Sequence, residues 1–184
     1  GNAADKMQDL LNDLLELSRI GRLMNQPTEA FFTDIVKDAV ELVHGQIEAR
    51  NLVIEIQNTP AKVYGDRTRL TEVIQNLVEN AIKYTPDEGR VTIRTLSQPG
   101  YLIFAVEDSG LGISTEDLPH LFEKFYRGKQ RETRSQPGSG LGLAIVHSVA
   151  TNHGGRVWVD SVVGKGSTFY LQIPLNQPKD SKST

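Results

Sequence analysis

The stretch Gly138-Ser139-Gly140-Leu141-Gly142-Leu143-Ala144-Ile145-Val146 interleaves three glycines with small or apolar residues and runs straight into an apolar segment of helical period. Glycine lets the backbone take positive φ and lets a ligand lie against bare N–H groups. A helix beginning just beyond them turns its unpaired N–H groups, and the positive end of its dipole, toward an incoming anion. The stretch reads as a phosphate-facing turn at the mouth of a helix. A glycine-rich turn before a helix is also commonly a turn and nothing more, so the rest of the chain must decide.

Outward from this stretch toward the C-terminus, the helix runs over about 140–152 and is stopped by Asn152-His153-Gly154-Gly155. Strands at 156–160 and 167–173 flank Gly164-Lys165-Gly166, and a polar tail from Asn176 onward reads as disordered. On the other side, residues 127–137 carry Arg127, Lys129, Arg131 and Arg134 against the single acid Glu132, a long, basic, flexible loop. Phe122, Phe125 and Tyr126 form an aromatic cluster before it, preceded by a short helical stretch at 115–121. Asp108-Ser109-Gly110-Leu111-Gly112-Ile113 places an aspartate at a strand end with two glycines behind it. Strands at 90–96 and 102–107, joined through Gln98-Pro99-Gly100, read as a hairpin.

Asp66 is a good N-cap for a long helix through Leu70, Val73, Ile74, Leu77, Val78, Ala81 and Ile82. That helix ends at Thr85-Pro86-Asp87, because proline disfavours the helical region for the residue before it. Further upstream lie a brief strand at 62–64, an alternating strand at 52–57, a helix over 34–50 and a short strand at 29–33. Residues 4–23 form one more helix, with Met7, Leu10, Leu14 and Leu17 at spacings of three and four. Gly21, Asn25, Gln26 and Pro27 break it off sharply, so it reads as a helix that leaves the domain and packs on a partner helix. Strands do not alternate regularly with helices. The expected fold is α+β: a two-layer sandwich whose mixed sheet is covered on one face by about three helices, preceded by one helix.

Composition narrows the partners. A chain of 184 residues fits one domain plus an attached element, and its net charge of −3 gives no reason to expect nucleic acid or an anionic membrane surface. Cysteine is absent, which removes disulfides and cysteine chemistry and suits a reducing cytoplasm. No apolar run approaches the roughly 20 residues of a membrane span, and no signal peptide opens the chain.

The long helix carries the most informative polar residues. Asn76, Asn80 and Lys83 are spaced four and three apart and share a face, with Tyr84 one residue round. A merely solvated face favours Glu, Lys and Gln over asparagine, a mediocre helix former. Amide oxygens suit a hard cation such as Mg²⁺, which keeps several waters and shares phosphate oxygens with a nucleotide. Lys83 would meet phosphate as a point charge.

Together, the asparagine helix, Asp108-x-Gly110-x-Gly112, Phe122-x-x-Phe125, Gly138-x-Gly140-Leu141-Gly142-Leu143 and Gly164-x-Gly166-Ser167 resemble the catalytic, ATP-binding domain of sensor histidine kinases. They match that family's N box, first glycine box, F box, second glycine box and third glycine box, in order, over about residues 28–175. Asp13-Leu14-Leu15-Glu16-Leu17-Ser18-Arg19 also resembles the end of the second helix of the family's dimerisation and phosphotransfer hairpin. The implied organisation is a helix remnant at 1–26, the ATP-binding domain at 27–175 and a tail at 176–184.

The resemblance implies roles. Asn80 would hold Mg²⁺, while Asn76, Lys83 and Tyr84 would line the phosphate side. Asp108 would accept a hydrogen bond from the adenine amino group, with Gly110 and Gly112 letting the backbone pass close to the base and Ile113 closing that box. Phe122 and Phe125 would anchor an ATP lid hinged at Gly138 and Gly140, with Leu141, Gly142 and Leu143 completing the second glycine box. Arg127 would contact the terminal phosphate, unless its basic loop is simply solvated. Thr168, or else Ser167, would supply a hydroxyl near the adenine.

Gyrase-type topoisomerases, heat-shock chaperones and MutL-type repair proteins share this fold and hydrolyse ATP, with a glutamate one turn before the magnesium asparagine. Here that position is Asn76, and an amide cannot take up a proton, so transfer is favoured over hydrolysis. The family's phosphoacceptor is a histidine followed by an acid, and none of His44, His120, His147 and His153 has that context. The implied activity is donation of the γ-phosphoryl of Mg-ATP to a histidine on the dimerisation helix, for relay to a receiver aspartate of a response regulator. The implied partners are the protein's own dimerisation domain, a second copy in the full-length homodimer, and the response regulator; the implied location is cytoplasmic. Two rivals stay open: an ATPase of the same fold, which would release phosphate steadily, and a non-catalytic nucleotide-sensing module, which would yield no phosphohistidine.

Overall fold

Leucine-rich spacing builds a first helix, α1 (Asn2–Arg19), in a computed structural model that describes residues 2–19, 26–123 and 142–175. Met7, Leu11, Leu14 and Leu15 are exposed on it. The expected break at Gly21 and Asn25 and the expected tail from Asn176 lie outside the described residues. None of the described helices is long and apolar enough to cross a membrane.

A short strand β1 (Thr28–Phe31) leads into α2 (Phe32–Leu42) and α3 (His44–Ala49). The single helix expected over 34–50 is thus two. They meet at buried Val43, whose φ of −111° and ψ of 10° leave the helical region. Val43 N–H bonds the Val40 carbonyl at 3.1 Å, a tight last turn. Val43 and Ile47, four residues apart, are both buried in the core. The strand expected over 29–33 ends earlier, because the Phe32 N–H pairs with the Ala61 carbonyl at 2.8 Å and its fully buried ring opens α2.

Strands β2 (Val53–Asn58) and β3 (Lys62–Gly65) come next, then α4 (Arg67–Tyr84). Asp66 caps α4 as expected: its Oδ1 accepts from the Thr68 and Arg69 N–H groups at 3.1 and 3.3 Å. Thr85, with ψ of 135°, ends the helix before Pro86. The chain continues through β4 (Arg90–Gln98) and β5 (Tyr101–Asp108), a hairpin whose turn is Pro99-Gly100 with Gly100 at φ 85°. The helical stretch expected at 115–121 is only a 3-10 turn at Leu118–His120. Beyond it lie α5 (Gly142–Asn152), β6 (Arg156–Val162) and β7 (Gly166–Pro174).

Five strands form a mixed sheet in the order β2-β4-β5-β7-β6, with β2 parallel to β4 and the other pairs antiparallel. The parallel pair follows from the crossover through α4 between them. β1 and β3 pair with each other in a separate two-stranded sheet. This is the expected α+β sandwich, with the helices on one face of the sheet.

Alternation sets the core. Val91, Ile93 and Thr95 of β4, Leu102, Phe104 and Val106 of β5, and Phe169, Leu171 and Ile173 of β7 are buried on the helical side. Phe32 meets Phe104 edge to face at 5.6 Å and fastens α2 to the sheet. Leu77 and Val78 of α4 are fully buried against the same layer, each worth about 1.5–3 kcal/mol of burial. At one end the apolar stripe stops, and the inward positions level with Val91 are Asp108 and Ser167.

Candidate functional site

The C-terminal half of α4 presents Asn76, Asn80, Lys83 and Tyr84, all half-buried, on the side away from its apolar stripe. Among the described residues, neither asparagine amide has a hydrogen-bond partner. Two half-buried amides on one helix face are reachable by an outside ligand. The Lys83 ammonium lies 5.8 Å from the Tyr84 ring centroid. Glu79 turns elsewhere and accepts from the Gln46 amide of α3 at 3.1 Å, so it is held away from the asparagine face. The fit for Mg²⁺ therefore rests on amide oxygens, with water and phosphate completing the shell.

The end of α4 is held from outside. Arg50 donates to the Ile82 and Thr85 carbonyls and bonds Asp87 at 2.9 Å, so one guanidinium adds donors at the end of the last turn. The Thr85 hydroxyl adds a bond to the Ala81 carbonyl at 2.7 Å.

Asp108, at the end of β5, is buried. Its Oδ1 accepts from the Gly110 N–H at 2.9 Å and from the Ser167 N–H at 3.3 Å. Among the described residues Oδ2 receives no hydrogen bond, which leaves an aimed acceptor. Burial pushes the Asp108 carboxyl up to about 6, against the two backbone bonds that lower it, and neighbouring Glu107 raises it slightly further.

The glycines after Asp108 bring the segments together. A Cβ at Gly110 would strike the Tyr84 carbonyl, so the first glycine turn lies directly against the end of α4. Gly112, at φ 77°, lies against the Val162 carbonyl, and Gly166, at φ 116°, against the Asp108 carbonyl. The close approach these glycines permit is thus to the protein's own backbone, which joins the turn after β5 to the β6–β7 turn. Gly164 N–H completes the join to the Leu111 carbonyl at 2.8 Å.

Ser161 of β6 ties the same region together. Its hydroxyl accepts from the Ile113 N–H at 2.7 Å, donates to the Gly166 carbonyl at 3.1 Å and meets the Ser167 hydroxyl at 2.7 Å. Phe122 sits half-buried between α5 and β7, its ring centroid 6.0 Å from His147 and 6.4 Å from Phe169. Gly142 opens α5, with nothing among the described residues within 4 Å of where a Cβ would stand, and Leu143 packs at the core edge.

The structure therefore brings Tyr84, Asp108, Gly110, Gly112, Ile113 and Ser167 into one cluster, next to the face carrying Asn76, Asn80 and Lys83. It does not bring Thr168 there. Thr168 pairs with Glu107 and Asp160 on the opposite face of the sheet, because strand side chains alternate. Ser167, level with Asp108, is the inward hydroxyl, which corrects the expected order of the two. Phe125, Arg127, Gly138, Gly140 and Leu141 lie outside the described residues. Sequence reading missed Ser161 and Arg50. Ser161 had a signal: it follows Val157 and Val159 at period two, a polar residue ending an inward stripe. Arg50 had none, since its carbonyl partners are more than thirty residues away.

Residues 65–177 match the family model described as histidine kinase-, DNA gyrase B-, and HSP90-like ATPase. The chain is 40% identical over 177 residues to the sensor-like histidine kinase SenX3 of Mycobacterium tuberculosis, covering 93% of this chain and 42% of that protein. The chain thus spans less than half of that relative's length. The structure resembles the mycobacterial sensor histidine kinase MprB with a TM-score of 0.71 and 32% identity, over 80% of this chain and 97% of that one. It also resembles full-length ShkA in complex with AMPPNP, with a TM-score of 0.80 and 25% identity, over 96% of this chain and 37% of that one. On the family match across most of its length, and on the sheet and boxes described above, the chain belongs to the histidine kinase-, DNA gyrase B- and HSP90-like ATPase family.

Proposed function

We propose that this chain is the ATP-binding catalytic part of a sensor histidine kinase. It binds Mg-ATP and donates the γ-phosphoryl to a histidine on the dimerisation helix, for relay to a response regulator aspartate. The observation that carries the reading is Asp108: a buried carboxylate with one oxygen held by two backbone N–H groups and the other open to a ligand. An adenine amino group suits that oxygen, whereas a guanine carbonyl would face unpaired lone pairs. Asn80 would hold Mg²⁺, which on binding neutralises phosphate charge. Asn76, Lys83 and Tyr84 would line the phosphates. AMPPNP in the ShkA structure supports a nucleotide for this fold.

Transfer is favoured over hydrolysis by two features of α4. Asn76 cannot act as a base, and Glu79 is engaged by Gln46. The helix remnant at 1–26 would belong to the dimerisation hairpin, the ATP-binding domain would span 27–175, and the partners would be that hairpin in a homodimer and a receiver domain. The test is incubation of the chain with γ-labelled Mg-ATP and a separately supplied dimerisation hairpin. Acid-labile label on the hairpin histidine is expected. Steady phosphate release with no labelled histidine would overturn the transfer reading.

A further inference from the structure

Ser161 and Ser167 face each other inward across β6 and β7, and Ser167 stands opposite Asp108 across β5 and β7. Each hydroxyl carries one hydrogen. Ser161 spends its hydrogen on the Gly166 carbonyl at 3.1 Å and accepts from the Ile113 N–H at 2.7 Å. With that hydrogen given to Gly166, the 2.7 Å bond between the two hydroxyls, which either oxygen could donate, is assigned to Ser167. Ser161 is saturated, with one bond given and two received. Ser167 has no hydrogen left, and its backbone N–H is committed to Asp108 Oδ1.

The outcome is two oxygens at the same end of the sheet that can only accept: Ser167 Oγ and Asp108 Oδ2. A ligand edge that offers hydrogens is matched there, and one that offers a carbonyl is refused. We propose that Ser161 is a positioning residue for purine selection, holding the Ser167 hydroxyl as an acceptor toward the amino edge of adenine. This deepens the Mg-ATP reading and rests on it. Ser161 itself touches no ligand. It acts through Ser167 and through the Ile113 amide of the first glycine turn.

The experiment is calorimetric titration of the 184-residue chain with Mg-ATP and with Mg-GTP. Ser161→Ala frees the Ser167 hydrogen to donate toward a carbonyl, so the ratio of ATP to GTP affinity should fall about tenfold, the weight of one hydrogen bond. Ser161→Thr keeps a hydroxyl and should restore the ratio. In a Ser167→Ala background, adding Ser161→Ala should leave the ratio unchanged, because the two act as one unit. Equal loss of both nucleotides in Ser161→Ala, the behaviour of a purely structural residue, overturns the assignment. Should Ser161→Ala fail to fold, Ser167→Ala decides: a ratio equal to wild type overturns it. A wild-type chain that binds no ATP overturns this assignment together with the Mg-ATP reading. ATP binding that Asp108→Ala abolishes, with the ratio unmoved by Ser161→Ala, overturns this assignment alone.

Discussion

The Ser167 N–H reaches Asp108 Oδ1 from the neighbouring strand at 3.3 Å. A strand-end carboxylate is thereby held in the layer between sheet and helices, where water would otherwise solvate it. The bond offsets only part of the desolvation, so the carboxyl stands at about 6 instead of 3.8. A hydrogen-bond donor entering beside Oδ2 would relieve this tension.

The tension is measurable in the unliganded chain. Between about pH 4 and pH 6 the native state binds more protons at Asp108 than the unfolded chain does. Stability from this group is therefore present below pH 4 and is lost as pH rises through 6. Asp108→Asn removes the penalty, so it should stabilise the unliganded chain by about 2–3 kcal/mol at pH 7.5. The gain should vanish near pH 3.5. Urea unfolding at both pH values checks this, and an equal effect at both would contradict it.

Gly110→Ala should damage nucleotide binding from a distance of two residues. The new Cβ meets the Tyr84 carbonyl, so the glycine turn must move off α4 and take the Asp108 carboxylate with it. We expect a loss of about 1–3 kcal/mol in stability, typical of overpacking, and ATP affinity reduced at least about tenfold, one lost hydrogen bond to a charged group. Thermal melts and calorimetry on the same sample separate the two effects.

Arg50 acts on the other end of that contact. Arg50→Ala takes the guanidinium away from the Ile82 carbonyl, which keeps the Thr85 N–H, and from the Thr85 carbonyl, and should lower stability by about 2 kcal/mol. Arg50→Lys should recover little, since a point ammonium cannot span both carbonyls and Asp87 as a guanidinium fork does. Urea midpoints for the three proteins test the order wild type above Lys, with Lys near Ala.

Metal dependence should divide the polar residues of α4. Asn80→Ala should abolish the gain in ATP affinity brought by Mg²⁺, while Glu79→Gln leaves it intact because Glu79 is turned toward Gln46. Titrations with and without Mg²⁺ give both comparisons. An Asn80→Ala protein that keeps the full Mg²⁺ effect would move the metal to another residue.

Much of this was legible in the residues because it is local. Asp66 announces the start of α4 by its own side chain, Pro86 announces the end, and Pro99-Gly100 announces the hairpin. The boxes around Asp108 and Gly164 were legible as short patterns. What escaped depends on pieces far apart in sequence. The choice of Ser167 over Thr168 is a matter of register, and a shift of one residue changes the face. Arg50 has meaning only once α4 has folded against it.

The most direct measurement is calorimetric titration of ATP with Mg²⁺ into the wild-type chain and into Asp108→Ala. Saturable binding at one site by the wild type, and affinity at least about tenfold weaker in the variant, are expected. Equal affinity in the two proteins, or no binding by a folded wild-type chain, would contradict that expectation.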